Sequence, residues 1–178
     1  MVSLVKDITF YLVNGLVPRI PSRSVRMLLY FLLSNGRIML GSSIALNVRI
    51  LDIRNIYIER GVNVNYGCVL DGRGAKITIS RNSDIAPYVR LWTLEHDPFD
   101  NKYSSRGADI IIGQNAWIGS STTLLPGTSI GDFAVIGAGS TFKGVAENHG
   151  IYFGQKAIKR GKRGAIDDYT IPSIRRFR

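Results

Sequence analysis

His96, His149 and Cys68 are the side chains of this 178-residue chain best suited to take or give a proton near neutral pH. His96 lies in Glu95-His96-Asp97-Pro98, inside WTLEHDPFDNKYSSRGAD, residues 92–109. A neutral imidazole so placed can receive the proton of a reacting hydroxyl. It can equally be a loop histidine with a structural hydrogen bond, and residue types alone leave both roles open. His149, in ENHG, reads as solvated. A zinc site built from three histidines is excluded, because this chain has two, and no metal is expected. A lone cysteine excludes an intramolecular disulfide framework and makes a reducing compartment the default. Cys68 itself reads as a small buried residue.

The element that must position these residues is a repeat. From Ile110 to Phe142 an aliphatic or aromatic residue returns at every sixth position: Ile112, Ile118, Leu124, Ile130, Ile136 and Phe142. Two residues before each stands Ile110, Ala116, Thr122, Thr128, Ala134 or Ser140. A period of six fits neither an α-helix nor a plain alternating strand, and marks a solenoid. Three such units close a turn, so successive turns stack as parallel strands roughly 4.8 Å apart. The expected fold is all-β, a left-handed parallel β-helix of about five coils, an exception to the usual right-handed crossover. Gly113, Gly119, Gly131 and Gly137 are expected at corners, supplying backbone conformations that a side chain would penalise.

Upstream the rhythm is placed at 40, 46, 52, 58, 64 and 70, with Asp52 as an imperfection. DGRGAK then adds three residues, a bulged corner, before Ile79, Ile85 and Leu91. The next step, to Ile112, is 21 residues, so residues 92–109 form a protruding loop. A long loop in a regular solenoid usually carries function. After Phe142 the repeat is expected to fade.

The ends differ from the body. Of the net charge of +10, residues 1–39 carry +4, residues 40–149 zero and residues 150–178 +6. A neutral body argues against nucleic acid as a partner, and basic ends suit an anionic cofactor or membrane surface. Residues 4–17 place apolar residues at 4, 8, 12 and 16, a helical spacing, and Ser22 can cap a second helix reaching Leu33. The domain reading is a helical cap over 1–39, a β-helix over 40–150 and a basic extension over 151–178. The cap would cover the open end of the solenoid. A second role is peripheral membrane docking through Arg19, Arg23 and Arg26, and the expected location is the cytoplasm, with the inner membrane surface as the docking site.

The run IGQNAWIGSSTTLLPGTSIGDFAVIGAGS closely resembles the hexapeptide-repeat acyltransferases. LDGRGA, EHDPFD and IPSRSVR look like the branch that O-acetylates sugars and surface polysaccharides, with galactoside and maltose acetyltransferases as more distant relatives. The resemblance implies transfer of acetyl from acetyl-CoA to a sugar or glycan hydroxyl, without a covalent enzyme intermediate. It implies a homotrimer with the active site between prisms. His96 matches the family's catalytic base. Asn65, in NVNYG, matches an asparagine near the base and the acceptor, and Asp71 and Asp97 are acceptor contacts by position, with Glu95 also flanking the base. For Asp71 a turn-forming aspartate before glycine is the competing role. Ser120, after Trp-Ile-Gly, corresponds to the oxyanion donor. Trp117, Gly119, Ser120, Gly137 and Ala138 would line the path of acetyl and pantetheine, and Lys143, Lys159 and Arg160 would meet the CoA phosphates. The family's Gly-x-Pro-Ala-Lys is here Gly154-Gln155-Lys156-Ala157-Ile158, so the proline is lost and the lysine displaced.

The same framework admits an N-acetyltransferase acting on an amino sugar, free or nucleotide-linked, although no added nucleotide-binding domain is visible. A serine acetyltransferase would need a larger helical domain than 39 residues. A catalytically silent scaffold would bind no acetyl-CoA and tolerate loss of His96.

Overall fold

Strands of two or three residues stack in three parallel sheets in the computed structural model, which describes residues 2–154. The first face holds Ser43–Ile44, Asn63–Val64, Asp84–Ile85, Trp117–Ile118, Val135–Ile136 and Ile151–Tyr152. The second holds Arg49–Leu51, Val69–Asp71, Arg90–Trp92, Thr123–Leu124 and Thr141–Phe142. The third holds Ile56–Ile58, Ile77–Ile79, Ile110–Ile112, Ser129–Ile130 and Val145–Ala146. The chain visits the faces in that order and repeats, making five full coils and starting a sixth. This is the left-handed parallel β-helix that the six-residue rhythm predicts.

Inward residues stack in register. On the first face Ile44, Val64, Ile85, Ile118, Ile136 and Tyr152 follow one another. Aliphatic side chains at these positions are essentially without solvent access. The smaller inward residues at the corners are buried as well, and their hydroxyls are satisfied locally. Thr122 Oγ1 donates to the Gly137 carbonyl at 3.0 Å, and Ser83 Oγ to Gly113 at 2.6 Å. A buried hydroxyl without such a partner would cost about 1–3 kcal/mol.

Register corrects the phase expected for the first coil. Leu40 and Leu46 are exposed, and the inward residues are Ile38, Ile44 and Ile50. Ile50 stacks on Leu70 and Ile38 on Ile58, so the step from Ile50 to Ile58 is eight residues. The two extra residues sit in a corner opened by Asp52, whose φ is 77° and whose carboxylate holds Arg54 at 2.7 and 2.5 Å. Asp52 is thus a corner residue, and no inward position is spoiled. The repeat also persists beyond Phe142. Ala146 stacks on Ile130 and Tyr152 on Ile136, a coil shortened by two residues at Gly144.

The glycines of the clean hexads have a different cause from the one expected. Gly113, Gly119, Gly131 and Gly137 do not adopt positive φ; that conformation falls two residues later, at Asn115, Ser121, Phe133 and Gly139. They are glycines because the next coil lies against them. A Cβ on Gly119 would stand 2.4 Å from the Ala138 nitrogen, and one on Gly113 2.7 Å from the Asp132 nitrogen.

The N-terminal helices α1 (Val2–Tyr11) and α2 (Arg23–Leu33) close the first coil. Ser22 caps α2, its hydroxyl accepting from the Val25 N–H. An exposed strand edge presents unpaired main-chain groups, and here side chains pair them. A π-helical turn, Leu12–Leu16, carries Asn14, whose Oδ1 accepts from the Ile50 N–H at 2.9 Å and whose Nδ2 donates to the Ile50 carbonyl at 2.9 Å. Arg26, 5% exposed, donates Nε to the Ile44 carbonyl at 2.8 Å and Nη1 to Ile20 at 2.5 Å. Arg26 is therefore spent on the cap and cannot be a membrane-facing cation. The apolar spacing expected for the first helix also points the other way. Leu4, Ile8 and Leu16 are exposed, with Val5 and Tyr11, while Val13 and Val17 reach the core.

Two substitutions should move stability in opposite directions. Asn14→Leu strips two main-chain groups of their partner and should cost about 2 kcal/mol in denaturant unfolding. Tyr30 is fully buried, and its hydroxyl lacks a hydrogen bond among the described residues, so burial raises its pKa, an effect the nearby Arg26 charge partly opposes. Tyr30→Phe should hold or raise stability by about 1 kcal/mol. A destabilised Tyr30→Phe protein would show the bookkeeping of the cap to be wrong.

Candidate active site

The loop between the second and third faces is a built element. Leu94–His96 and Ser105–Gly107 form an antiparallel hairpin, with Ser105 opposite His96 and Arg106 opposite Glu95. Two aspartates fold its tip: Asp97 Oδ1 accepts from the Phe99 N–H at 2.9 Å, and Asp100 accepts from Lys102 and Ser104 at 2.9 and 3.1 Å. Its base rests on the bulged corner at 72–75. The Thr93 hydroxyl accepts from the Gly74 and Ala75 N–H groups at 3.2 Å and donates to the Asp71 carbonyl. Gly107 passes so close to Gly74 that a Cβ would meet its carbonyl at 2.4 Å.

His96 is half-buried in this hairpin. Its Nδ1 lies 3.1 Å from the Tyr103 carbonyl and 3.2 Å from Ser105 Oγ. A carbonyl only accepts, so Nδ1 carries the proton in the neutral ring. Nε2 makes no hydrogen bond to the described residues and keeps its lone pair. The Tyr103 ring stacks on the imidazole, with centroids 3.8 Å apart and planes 21° apart. The partner on the other ring nitrogen is therefore Tyr103 and not Asn65, which lies elsewhere.

Charged groups hold the hairpin to the prism. Glu95 Oε1 meets Arg106 Nε at 2.8 Å and Lys143 Nζ at 3.0 Å. Burial raises the Glu95 pKa, but the hydrogen bonds and charges of Lys143 and Arg106 outweigh it and hold the carboxyl below its usual value. Lys143 thus serves the hairpin in this structure. Asp97 Oδ2 faces Arg106 at 3.5 Å. Asp71 has a fully buried side chain whose two oxygens take Arg73 at 2.8 and 3.0 Å, at the foot of the hairpin.

The remaining expected residues gather on the next corner, between the first and second faces. Asn65 donates Nδ2 to the Ile85 carbonyl at 3.0 Å and to Asp84 Oδ1 at 3.2 Å. Trp117, 53% exposed, projects from the first face directly beside Asp84 and Val135. Gly119, Ser120, Gly137 and Ala138 follow along the same edge, where the Phe153 ring overlies Gly137. Within one chain Asn65, Trp117 and Ser120 share one edge, and His96, Asp97 and Lys143 share another. Lys159 and Arg160 lie outside the described residues.

Sequence reasoning missed Asp84, Tyr103 and Ser105. Asp84 occupies an ordinary outward position before Ile85 and bore no signal. Ser105 could have been found only by pairing the two halves of the loop. His149 is exposed and stacks on Phe133, centroids 4.9 Å apart. No group of His, Cys, Asp and Glu among the described residues could hold a metal ion.

Three faces, six-residue steps and insertions confined to corners define a hexapeptide-repeat left-handed β-helix. Residues 109–144 match the family described as bacterial transferase hexapeptide (six repeats). The chain is 39% identical over 90 residues to galactoside O-acetyltransferase of Escherichia coli, covering 48% of this chain and 43% of that protein. It is 34% identical over 74 residues to the putative colanic acid biosynthesis acetyltransferase WcaF of Escherichia coli, covering 41% of each. The chain thus spans about half or less of the length of the curated relatives it matches. The hexapeptide-repeat containing acetyltransferase VCA0836 from Vibrio cholerae superposes with a TM-score of 0.76 at 22% identity, over 86% of this chain and 87% of that one. A maltose O-acetyltransferase from Clostridium difficile superposes with a TM-score of 0.67 at 27% identity, over 85% and 80%. Over residues 109–144 the chain carries the bacterial transferase hexapeptide repeat, and its fold is that of solved hexapeptide-repeat acetyltransferases.

Acid should loosen the hairpin. A carboxyl with a depressed folded pKa adds stability that is present above its unfolded value, about 4.3 for glutamate, and lost as the pH falls through the folded value. Amide exchange at Leu94–His96 and Ser105–Gly107, corrected for intrinsic rates, should quicken relative to the prism on acidification below about pH 4. Glu95→Gln should show the faster exchange already at neutral pH. Equal protection across that range would refute the anchoring role of Glu95.

Proposed function

We propose that this chain is an acetyl-CoA-dependent O-acetyltransferase that acetylates a sugar hydroxyl in surface polysaccharide synthesis. The observation that carries the reading is His96, whose Nδ1 proton is held by a carbonyl while Nε2 is left as a proton acceptor. That is the state required of a base acting on a hydroxyl.

The proposed assembly is a homotrimer, in which the hairpin of one protomer meets the Asn65–Trp117–Ser120 edge of the next; the separation of the two edges within one chain supports it. The exposed Trp117 and Ala138 and the half-buried Ser120 offer a thin ligand close approach, which suits the pantetheine arm; Gly119 is buried against the next coil, and Phe153 bounds the strip at Gly137. When bound, the thioester supplies the acetyl group. His96 Nε2 takes the proton of the acceptor hydroxyl as its oxygen attacks the carbonyl carbon. Ser120 donates a hydrogen bond to the carbonyl oxygen as negative charge builds there. His96 then returns the proton to the departing sulfur, and the imidazole is neutral again.

Support comes from the proteins this chain resembles. One is the putative colanic acid biosynthesis acetyltransferase WcaF, and a galactoside acetyltransferase that superposes with a TM-score of 0.68 at 24% identity was solved in complex with coenzyme A. The proposed place of action is the cytoplasmic face of the inner membrane, where the exposed Leu4, Val5, Ile8 and Tyr11 of α1 would touch lipid. No described helix is long and apolar enough to cross a membrane. An N-acetyltransferase acting on an amino sugar would use the same groups, and product mapping separates ester from amide.

His96→Ala should leave fold and assembly intact and lower acetyl transfer by about 10²–10⁴-fold. Trp117→Ala should weaken acetyl-CoA in calorimetry more than it weakens the acceptor. Mixing the two impaired variants at subsaturating acetyl-CoA, with subunit exchange, should give more activity than the sum of the separate variants, because some interfaces then carry both native edges. Wild-type turnover by His96→Ala would remove the base assignment; mixtures no more active than that sum would remove the shared site.

A further inference from the structure

The tip of the hairpin turns one residue toward the imidazole in two ways. The Tyr103 carbonyl stands 3.1 Å from His96 Nδ1, and the Tyr103 ring lies nearly parallel to the imidazole at 3.8 Å. Tyr103 adopts φ 55°, a left-handed conformation that costs a residue with a β-carbon on the order of 1 kcal/mol. The neighbours over-determine it. The Tyr103 N–H donates to the Asp100 carbonyl at 3.1 Å, and the Asp100 carboxylate takes the Lys102 and Ser104 N–H groups on either side. Strain maintained by surrounding hydrogen bonds is found where geometry matters to function.

We propose that Tyr103 is the positioning residue of His96, fixing the plane of the ring by stacking and its tautomer through the carbonyl, so that Nε2 is presented outward. The proposal rests on the reading of His96 as the base. Free histidine in its neutral form favours the proton on Nε2, the tautomer useless for accepting a proton there. A carbonyl at Nδ1 reverses that preference only while the ring stays in the right plane. The aromatic face of Tyr103 resists rotation about the side-chain bonds, because turning the ring would break the stack, a contact of about 0.5–1.5 kcal/mol. Ser105 Oγ, at 3.2 Å, shares the same edge of the imidazole but offers no face to hold its plane.

The test compares Tyr103→Leu with Tyr103→Phe in the full chain. Nitrogen-15 spectra of histidine-labelled protein read the tautomer directly, without acetyl-CoA. Wild type and Tyr103→Phe should show a protonated Nδ1 and an unprotonated Nε2 for His96. Tyr103→Leu should show a mixture. In turnover, Tyr103→Leu should lose roughly 10–100-fold in kcat, with KM for acetyl-CoA within about twofold of wild type, the pattern of a misplaced base. Tyr103→Phe should restore both readouts. The proposal is overturned if Tyr103→Leu keeps the wild-type nitrogen spectrum, or if Tyr103→Phe loses as much as Tyr103→Leu, which would assign the role to the phenol oxygen. A protein that acetylates nothing would end the catalytic reading, and the spectra would still decide whether Tyr103 sets the tautomer.

Discussion

Main-chain hydrogen bonds between successive coils constrain everything else in this molecule. Each interior strand of the prism pairs with one below and one above, in a register that puts inward residue upon inward residue. A coil can therefore gain or lose residues only at a corner, where no ladder is interrupted. The chain does so four times: two extra residues near Asp52, three in the bulge after Asp71, fifteen between Leu91 and Ile112, and two fewer at Gly144. Chemistry in such a prism has nowhere to go except corners and outward faces, because the interior is filled with aliphatic side chains.

The same ladder must end somewhere, and its ends are where the fold departs from repetition. At the N-terminal end the cap satisfies the last main-chain groups with side chains. Asn14 acts as a one-residue strand against Ile50, and Arg26 and the Met27 sulfur meet the carbonyl and N–H of Ile44. Burial of an arginine is tolerable because its donors go to carbonyls that would otherwise be orphaned. The cap is built from hydrogen bonds as much as from apolar contact, which explains how a helix with so many exposed leucines and valines can still be fixed to the prism.

Much of this was legible in the sequence. The hexads from Ile110 to Phe142 have no insertions, so their period exposed the fold and the stacking at once. The first coil misled because Leu40 and Leu46 are apolar yet outward, and only pairing partners reveal which of two apolar sets faces in. Gly119 was visible as a glycine, but the cause, a neighbouring coil 2.4 Å from an added Cβ, is a contact between residues nineteen apart. His96 stood out by type and setting. Its partner did not, since a backbone carbonyl leaves no trace in residue identity, and a stacked tyrosine seven positions away looks like any loop aromatic. The separation of His96 from Asn65 and Ser120 was invisible for a further reason: membership of a corner depends on the running count of insertions upstream.

The hairpin shows how a prism with a fixed ladder can hold a reactive group steadily. Individually its exposed ion pairs are weak, as such pairs usually are. Together with the paired strands and the two aspartate-closed turns they leave the imidazole few ways to move. The decisive contact is lower down. The bulge at 72–75 and the hairpin base at Thr93 and Gly107 are two separate insertions in the sequence, yet the Thr93 hydroxyl binds two N–H groups of the bulge and Gly107 lies against Gly74. Each insertion thus supplies contacts that hold the other. The three-residue bulge, which on its own looks like a tolerated irregularity, is the seat that turns a fifteen-residue excursion into a rigid arm. Under the proposed function, placement of this kind is what His96 would need to meet a substrate held by a neighbouring protomer.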